Sequence, residues 1–297
     1  MRLVALVGWL VVLACAPSAV DWRTYHAAAA AAAERGDYES AETHLASAER
    51  EAVRLGPGEA ATTSVAQGRL RREVGDHDGA ELRYTQAETL LESPDAQQGR
   101  ASGVPAPLAL EHGRLALALN DPETAEMHFR RALREARRSE GPDSPTEGWA
   151  QLGLGRSLRL QGKSPAARTA LLRALAIHRG ESAALRPAHT PGVMAALTEL
   201  AALDRTEGRL EQARSGAIDA LRISRRELGV SHPRIAPVLT ELAVIELARG
   251  DVTAAAAAAR RADEIASSRL PAGHATRVEA SRVRETVELA EAALTPP

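Results

Sequence analysis

The sequence predicts an all-α solenoid: about six tandem helix–turn–helix units, with one further helix to close the stack. Three observations lead there. Ala, Leu, Arg and Glu are abundant, while aromatics make up 2% of the chain and Phe occurs once. Ala costs no side-chain entropy in a helix and the unbranched residues lose little, so this mix favours helices packed closely around a thin core. Gly or Asn recurs at 36, 75, 120, 162, 208 and 250, and columns of small residues keep step with it. Successive copies lie 39, 45, 42, 46 and 42 residues apart, a period that marks stacked repeat units.

The N-terminus reads as an address. Arg2 supplies one positive charge and about twelve apolar residues follow; a membrane-spanning helix needs ~20. Residues 1–14 are therefore assigned to a signal peptide. A small-x-small cleavage site ending at Ala16 would set Pro17 beside the cut, which disfavours it. Val12-Leu13-Ala14-Cys15 resembles a bacterial lipobox, with Leu13 where a smaller residue is usual. That resemblance implies an acylated Cys15 as the new N-terminus, anchoring the chain from outside the cytoplasm. Ala16 stands in place of the Asp associated with inner-membrane retention, which implies the outer membrane; without the lipid the chain would be periplasmic or secreted. Residues 15–21 form a short tether, and 22–294 the solenoid.

Within each copy the columns have physical roles. The Gly or Asn ends the first helix, where a left-handed residue is cheap there. Asp37, Asp76, Asp121, Ser164 and Asp251 then stand where a side chain caps the second helix. Pro122 and Pro165 fall in its first turn, where the missing N–H is harmless. Seven residues before each turn lie Ala29, Gly68, Gly113, Gly155, Ala201 and Ala243. Five after it lie Ala41, Ala80, Ala125, Ala167, Ala213 and Ala255, and seven further on Ala48, Ala87, Ala132, Ala174, Ala220 and Ala262. These mark the crossing of the two helices. Between the Ala columns sit Leu45, Tyr84, Phe129 and Leu171, then Ala217 and Ala259. The shrinkage predicts tighter or weaker packing toward the C-terminus. Residues 275–294 form one more amphipathic helix to cover the last apolar face, and 295–297 a disordered tail.

The segment Gly36-Asp37-Tyr38-Glu39-Ser40-Ala41-Glu42 resembles the turn of the tetratricopeptide repeat, and the resemblance runs over roughly residues 22–270. These copies exceed that family's period of 34 by about two helical turns. Leu228-Gly229-Val230-Ser231-His232-Pro233, with Leu185…His189 and Leu270…His274, is similar to the extended repeats of kinesin light chains and their bacterial relatives. The resemblance implies a right-handed superhelix of antiparallel helix pairs. Where those relatives often carry Asn before a Leu-Ala pair, this chain has Glu199 and Glu241. That Asn would hydrogen-bond a bound peptide's backbone, so the departure puts that binding mode in doubt.

Net charge is −2, which offers no global field for nucleic acid or an anionic membrane; the membrane enters only through the N-terminal lipid. One Cys excludes an internal disulfide and any multi-Cys metal site. The nine His lack metal-ligand spacing, and His189, His232 and His274 share one inter-repeat position that reads as packing or capping. No nucleophile elbow, phosphate loop or dinucleotide fingerprint occurs. Carboxylate pairs such as Glu111 with Glu126 have nothing that distinguishes them from solvated helix faces. The chain is thus expected not to be an enzyme and to need no cofactor or metal.

One feature suggests a site. Counting from the small-residue column, first-helix positions facing the concave surface hold Arg69, Arg72, Arg114, Arg156, Arg159 and Arg205, with Trp149 on the same face. Arg presents a fork suited to carboxylates and Trp is a good partner anchor. One reading is a groove for an acidic peptide or a free C-terminal carboxylate. The other is a solvated face whose Arg residues pair with Glu on adjacent helices. The leading function is a protein-interaction scaffold. Its alternatives are an assembly or pilot lipoprotein for an outer-membrane complex, an enzyme with an unrecognised groove active site, and a structural spacer.

Overall fold

Six antiparallel helix pairs follow one another along the chain. The computed structural model describes residues 21–97, 103–180 and 190–294. The pairs are α1 (Trp22–Glu34) with α2 (Tyr38–Leu55), α3 (Pro57–Glu73) with α4 (His77–Glu92), and α6 (Pro105–Ala118) with α7 (Pro122–Ser139). Next come α8 (Pro145–Leu160) with α9 (Ser164–Arg179), α10 (Thr190–Thr206) with α11 (Leu210–Leu228), and α12 (Ala236–Ala248) with α13 (Val252–Arg269). A short α5 (Pro94–Gln97) lies between the second and third pairs, a 3-10 turn (Pro233–Ile235) precedes α12, and α14 (Ala275–Leu294) ends the stack. The solenoid and its final helix are as the sequence predicts. Cys15, the leader at 1–14, the Leu185…His189 segment and the tail at 295–297 lie outside the described residues.

Each pair forms for the same local reasons. All six turn residues adopt positive φ, from 59° at Asn120 to 88° at Gly75. The residue after each donates its N–H back to the first helix, as Asp121 does to the Ala116 carbonyl at 2.9 Å, so orphan carbonyls are satisfied. Asp37, Asp76, Asp121 and Asp251 cap the second helices by accepting from the N–H three residues on. Ser164 does not. Helix α9 starts at Ser164 itself, with Lys163 in the capping position and no side-chain cap. His232 and His274 act as caps, their Nδ1 atoms accepting from the N–H groups of Arg234 and Thr276.

The core lies between the helices of each pair, and side-chain size is matched across it. Both Ala columns of the second helices are fully buried. A β-carbon on Gly68 would collide with the Tyr84 ring; one on Gly113 would stand 2.7 Å from Phe129, and one on Gly155 2.6 Å from Leu171. Where the second helix offers Ala217 or Ala259, the first offers Ala201 or Ala243, all buried. The smaller second-helix residues of the last two pairs are thus met by Ala rather than Gly, and the interface stays closed to solvent.

First helices from α3 to α12 pack directly on one another, whereas no comparable contact joins successive second helices. The array therefore curves with the first helices inside. It also comes full circle: the turns at Gly36 and Gly75 lie against the segment from Arg269 to Gly273.

Candidate functional site

The concave face is built from two columns of the first helices. One lies four residues after the small-residue column, the other two residues before that column in the next repeat. Stacking brings them together, and three Arg–Glu steps result. Arg72 reaches Glu111 at 3.2 Å, Arg159 reaches Glu199 at 2.9 Å, and Arg205 Nε donates to Glu241 at 2.7 Å. The two remaining steps carry no charge on either side: Ala33 faces the Ala66 position, and Leu117 the Gly153 position. Charges thus come in matched pairs or not at all. At Gly153 a β-carbon would also strike the Phe129 ring, so no larger residue fits there.

A second set of Arg residues sits one position past the small-residue column. Arg114 donates to Glu111 at 2.6 Å, and Arg156 approaches Glu199 at 3.6 Å. Arg69 pairs with Glu73 on its own helix at 3.0 Å. The two sets differ in exposure. Side chains of Arg72 and Arg159 are 16% and 13% exposed; those of Arg69 and Arg156 are 49% and 53% exposed. The former are struts between helices, and the latter point charge into the groove. Arg114 lies between these extremes and stacks over Trp149, with its guanidinium carbon 5.4 Å from the ring centroid. Trp149 in turn packs on the His178 ring at 4.9 Å.

Arg72 and Arg114 thus share Glu111, Arg156 and Arg159 share Glu199, Arg205 takes Glu241 and Arg69 takes Glu73, so every Arg expected from sequence has a carboxylate partner. Pairing with Glu on adjacent helices is one of the two readings the sequence offers for these Arg residues, and the structure shows it for Arg72, Arg159 and Arg205; which Glu each Arg takes is not read from the sequence. Glu111 is buried, not solvated, and it does not pair with Glu126, which sits on the second helix holding Arg130 and Lys163. Burial raises the Glu111 carboxyl, but the guanidiniums of Arg114, Arg72 and Arg69 outweigh it and hold the group at about 2. Glu241 meets the opposite balance: burial pushes it up, and Arg205 offsets that only in part. Among the described residues no group of three or more His, Cys, Asp or Glu is placed to hold a metal, and no helix is long and apolar enough to cross a membrane.

A family model described as tetratricopeptide repeat matches residues 106–180 and 192–268, just over half the chain. No curated protein matches it. Among solved structures, BtubC (BKLC) from P. vanneervenii is similar with a TM-score of 0.53 at 18% identity, covering 82% of this chain and 91% of its own. PilW, a type IV pilus biogenesis factor, gives 0.52 at 20% identity over 82% and 92%. The apo form of RapI gives 0.57 at 13% identity over 92% and 72%. At these identities the likeness is one of fold.

Proposed function

The chain belongs to the tetratricopeptide repeat family, and on that premise we propose that it is a protein-interaction scaffold whose groove takes a carboxylate-bearing peptide segment. One observation carries the reading: groove Arg residues outnumber their carboxylates. Six Arg residues share Glu73, Glu111, Glu199 and Glu241, and both Glu111 and Glu199 are held by two guanidiniums each. The buried strut of each double pair satisfies the Glu. The exposed member keeps donors for an incoming carboxylate, which it would grip with charge-assisted hydrogen bonds. Trp149 under Arg114 supplies an apolar anchor beside that charge. Where relatives of the extended-repeat type would use Asn on peptide backbone, this groove favours recognition by charge. No catalytic residue is proposed.

The proposal extends to location. The leader and the lipobox-like Val12-Leu13-Ala14-Cys15 support a scaffold held outside the cytoplasm by an acylated Cys15. The role of PilW as a type IV pilus biogenesis factor, beside the lipobox-like segment, supports a second reading as an assembly lipoprotein of an outer-membrane complex. Cys15→Ser tests the anchor: the variant is expected to leave the membrane fraction with altered mobility, and unchanged fractionation and mobility would sink it.

The groove is tested by titrating a fluorescently labelled oligo-glutamate peptide into wild type and into Arg69→Glu with Arg156→Glu. The exposed Arg residues are chosen because their loss spares the struts. Affinity is expected to fall at least tenfold, and to fall with added salt in the wild type, while thermal stability holds. Equal binding by both proteins overturns the reading.

A further inference from the structure

The two ends of the array touch, and the residues at the contact are chosen for it. Glycines at 36 and 75 are required by their positive φ whatever lies nearby. Gly273 is not: it is absent from the positive-φ positions, and it occupies the second corner of a turn closed by His274 N–H donating to Pro271 O at 3.0 Å. The equivalent loop before α12 carries Ser231 at that place. Loop geometry alone therefore accepts a side chain. What forbids one at 273 is the other end of the molecule, because a β-carbon there would run into the Val74 carbonyl. In return, a β-carbon on Gly75 would stand 2.6 Å from the Gly273 carbonyl, and one on Gly36 would strike the carbonyl of Arg269. Backbone meets backbone at three points with no room for side chains.

Side-chain contacts add to these, beside an open cleft lined by Tyr38, Glu39, Ser267 and Leu270. Tyr38 packs against the core cluster of the last repeat and meets the His274 ring at 5.9 Å. Arg234 donates to Glu34 at 3.1 Å, two hundred residues away in sequence. The seam adjoins the groove as well. Glu73, which holds the exposed Arg69, also acts electrostatically on both Tyr38 and His274.

We propose that this seam is a latch that closes the array into one enclosed turn, so that the groove is reached along the superhelix axis and partner exchange follows latch opening. The latch rests on the seam contacts alone; its control of exchange rests on the groove reading above. An open solenoid presents its groove from the side, and a partner leaves it by peeling away. An enclosed turn holds a threaded segment until the seam parts, so affinity is tuned through the dissociation rate.

The test uses the full chain in a Cys15→Ser background with spin labels at Glu42→Cys and Ser267→Cys, both exposed positions on either side of the seam. The unmodified seam is expected to give one narrow distance distribution. Gly273→Ala is expected to lengthen and broaden it with helicity intact, Ser231→Ala to leave it unchanged, and Glu34→Arg to broaden it in a way that Arg234→Glu reverses. Identical distributions in Gly273→Ala and the parent overturn the latch. In the same proteins, release of the labelled oligo-glutamate peptide is expected to quicken at least threefold in Gly273→Ala. A lengthened distance with unchanged release overturns the control of exchange. If the parent binds no peptide, the groove reading has failed, and the distances still decide the latch.

Discussion

At the residue scale, Glu111 is the group on which the groove depends most. It is 4% exposed and faces Arg72 and Arg114 within 3.2 Å. A carboxyl held at about 2 against an ordinary 4.5 contributes stability that is full above the unfolded value and drains as pH falls toward 2; the shift corresponds to about 3 kcal/mol. Glu111→Gln removes the charge and leaves two guanidiniums facing each other, the situation in which breaking a buried pair costs on the order of 3 kcal/mol. The expected result is a large loss of melting temperature at pH 7 and a much smaller one near pH 2.5, where the contribution is draining but not gone; equal penalties at both pH values would contradict the assignment. Six groove Arg residues were legible in the sequence because a single residue type recurs at fixed offsets from the small-residue column. That they pair with Glu on adjacent helices is one of the two readings the sequence offers, but which Glu each takes is not legible, because pairing joins one repeat's offset to a different offset in the next, about 40 residues away. The matched columns Arg72/Glu111, Arg159/Glu199 and Arg205/Glu241 hold that information, with Ala33/Ala66 and Leu117/Gly153 as the uncharged steps. It emerges only when two columns are compared across adjacent copies.

At the scale of the helix pair, a small residue on the first helix makes room for what the second helix sets against it. Gly68 faces Tyr84, Gly113 faces Phe129 and Gly155 faces Leu171, while Ala201 and Ala243 face Ala217 and Ala259. The second-helix residues alone predict tighter or weaker packing toward the C-terminus; the first-helix residues, which grow from Gly to Ala there, are the other side of that fit. The caps were readable wherever Asp follows the turn, and misread at Ser164, which stands two residues after Gly162 instead of one, so that Lys163 takes the capping position. Two glycine substitutions separate packing from propensity. Gly68→Ala forces a β-carbon into the rigid Tyr84 ring and is expected to destabilise by about 1–3 kcal/mol. Gly216→Ala, inside α11, meets nothing nearer than the Ala201 β-carbon at 3.6 Å, so helix propensity decides and stability is expected to rise by about 0.5–1 kcal/mol. Chemical denaturation of both proteins checks the pair, and a loss at Gly216→Ala would show that contact distance is a poor guide in this interface.

At the scale of the whole molecule, the question is whether the array behaves as a line or as a loop. In a linear solenoid each repeat feels only its neighbours, so damage at one end stays there. The period of the columns announces such a line, and the sequence gives no hint of closure. Contacts such as Glu34 with Arg234 and Gly75 with Gly273 join segments about 200 residues apart, and Gly273 is hidden among ordinary loop glycines. The final helix offers the discriminating perturbation. It buries Val283 and Val287 against Ala243, Ala255 and Ala259, and Val283→Ala with Val287→Ala should cost roughly 2 kcal/mol per site. Loosening α14 also loosens the loop that carries Gly273 and His274. Hydrogen exchange is therefore expected to quicken in α13 and α14, and with them at the Gly36 and Gly75 turns of the first two repeats, while the central pairs α6–α9 stay protected. That pattern, with two ends responding and a quiet middle, requires a seam, since damage spreading through neighbours alone would reach the centre before the far end.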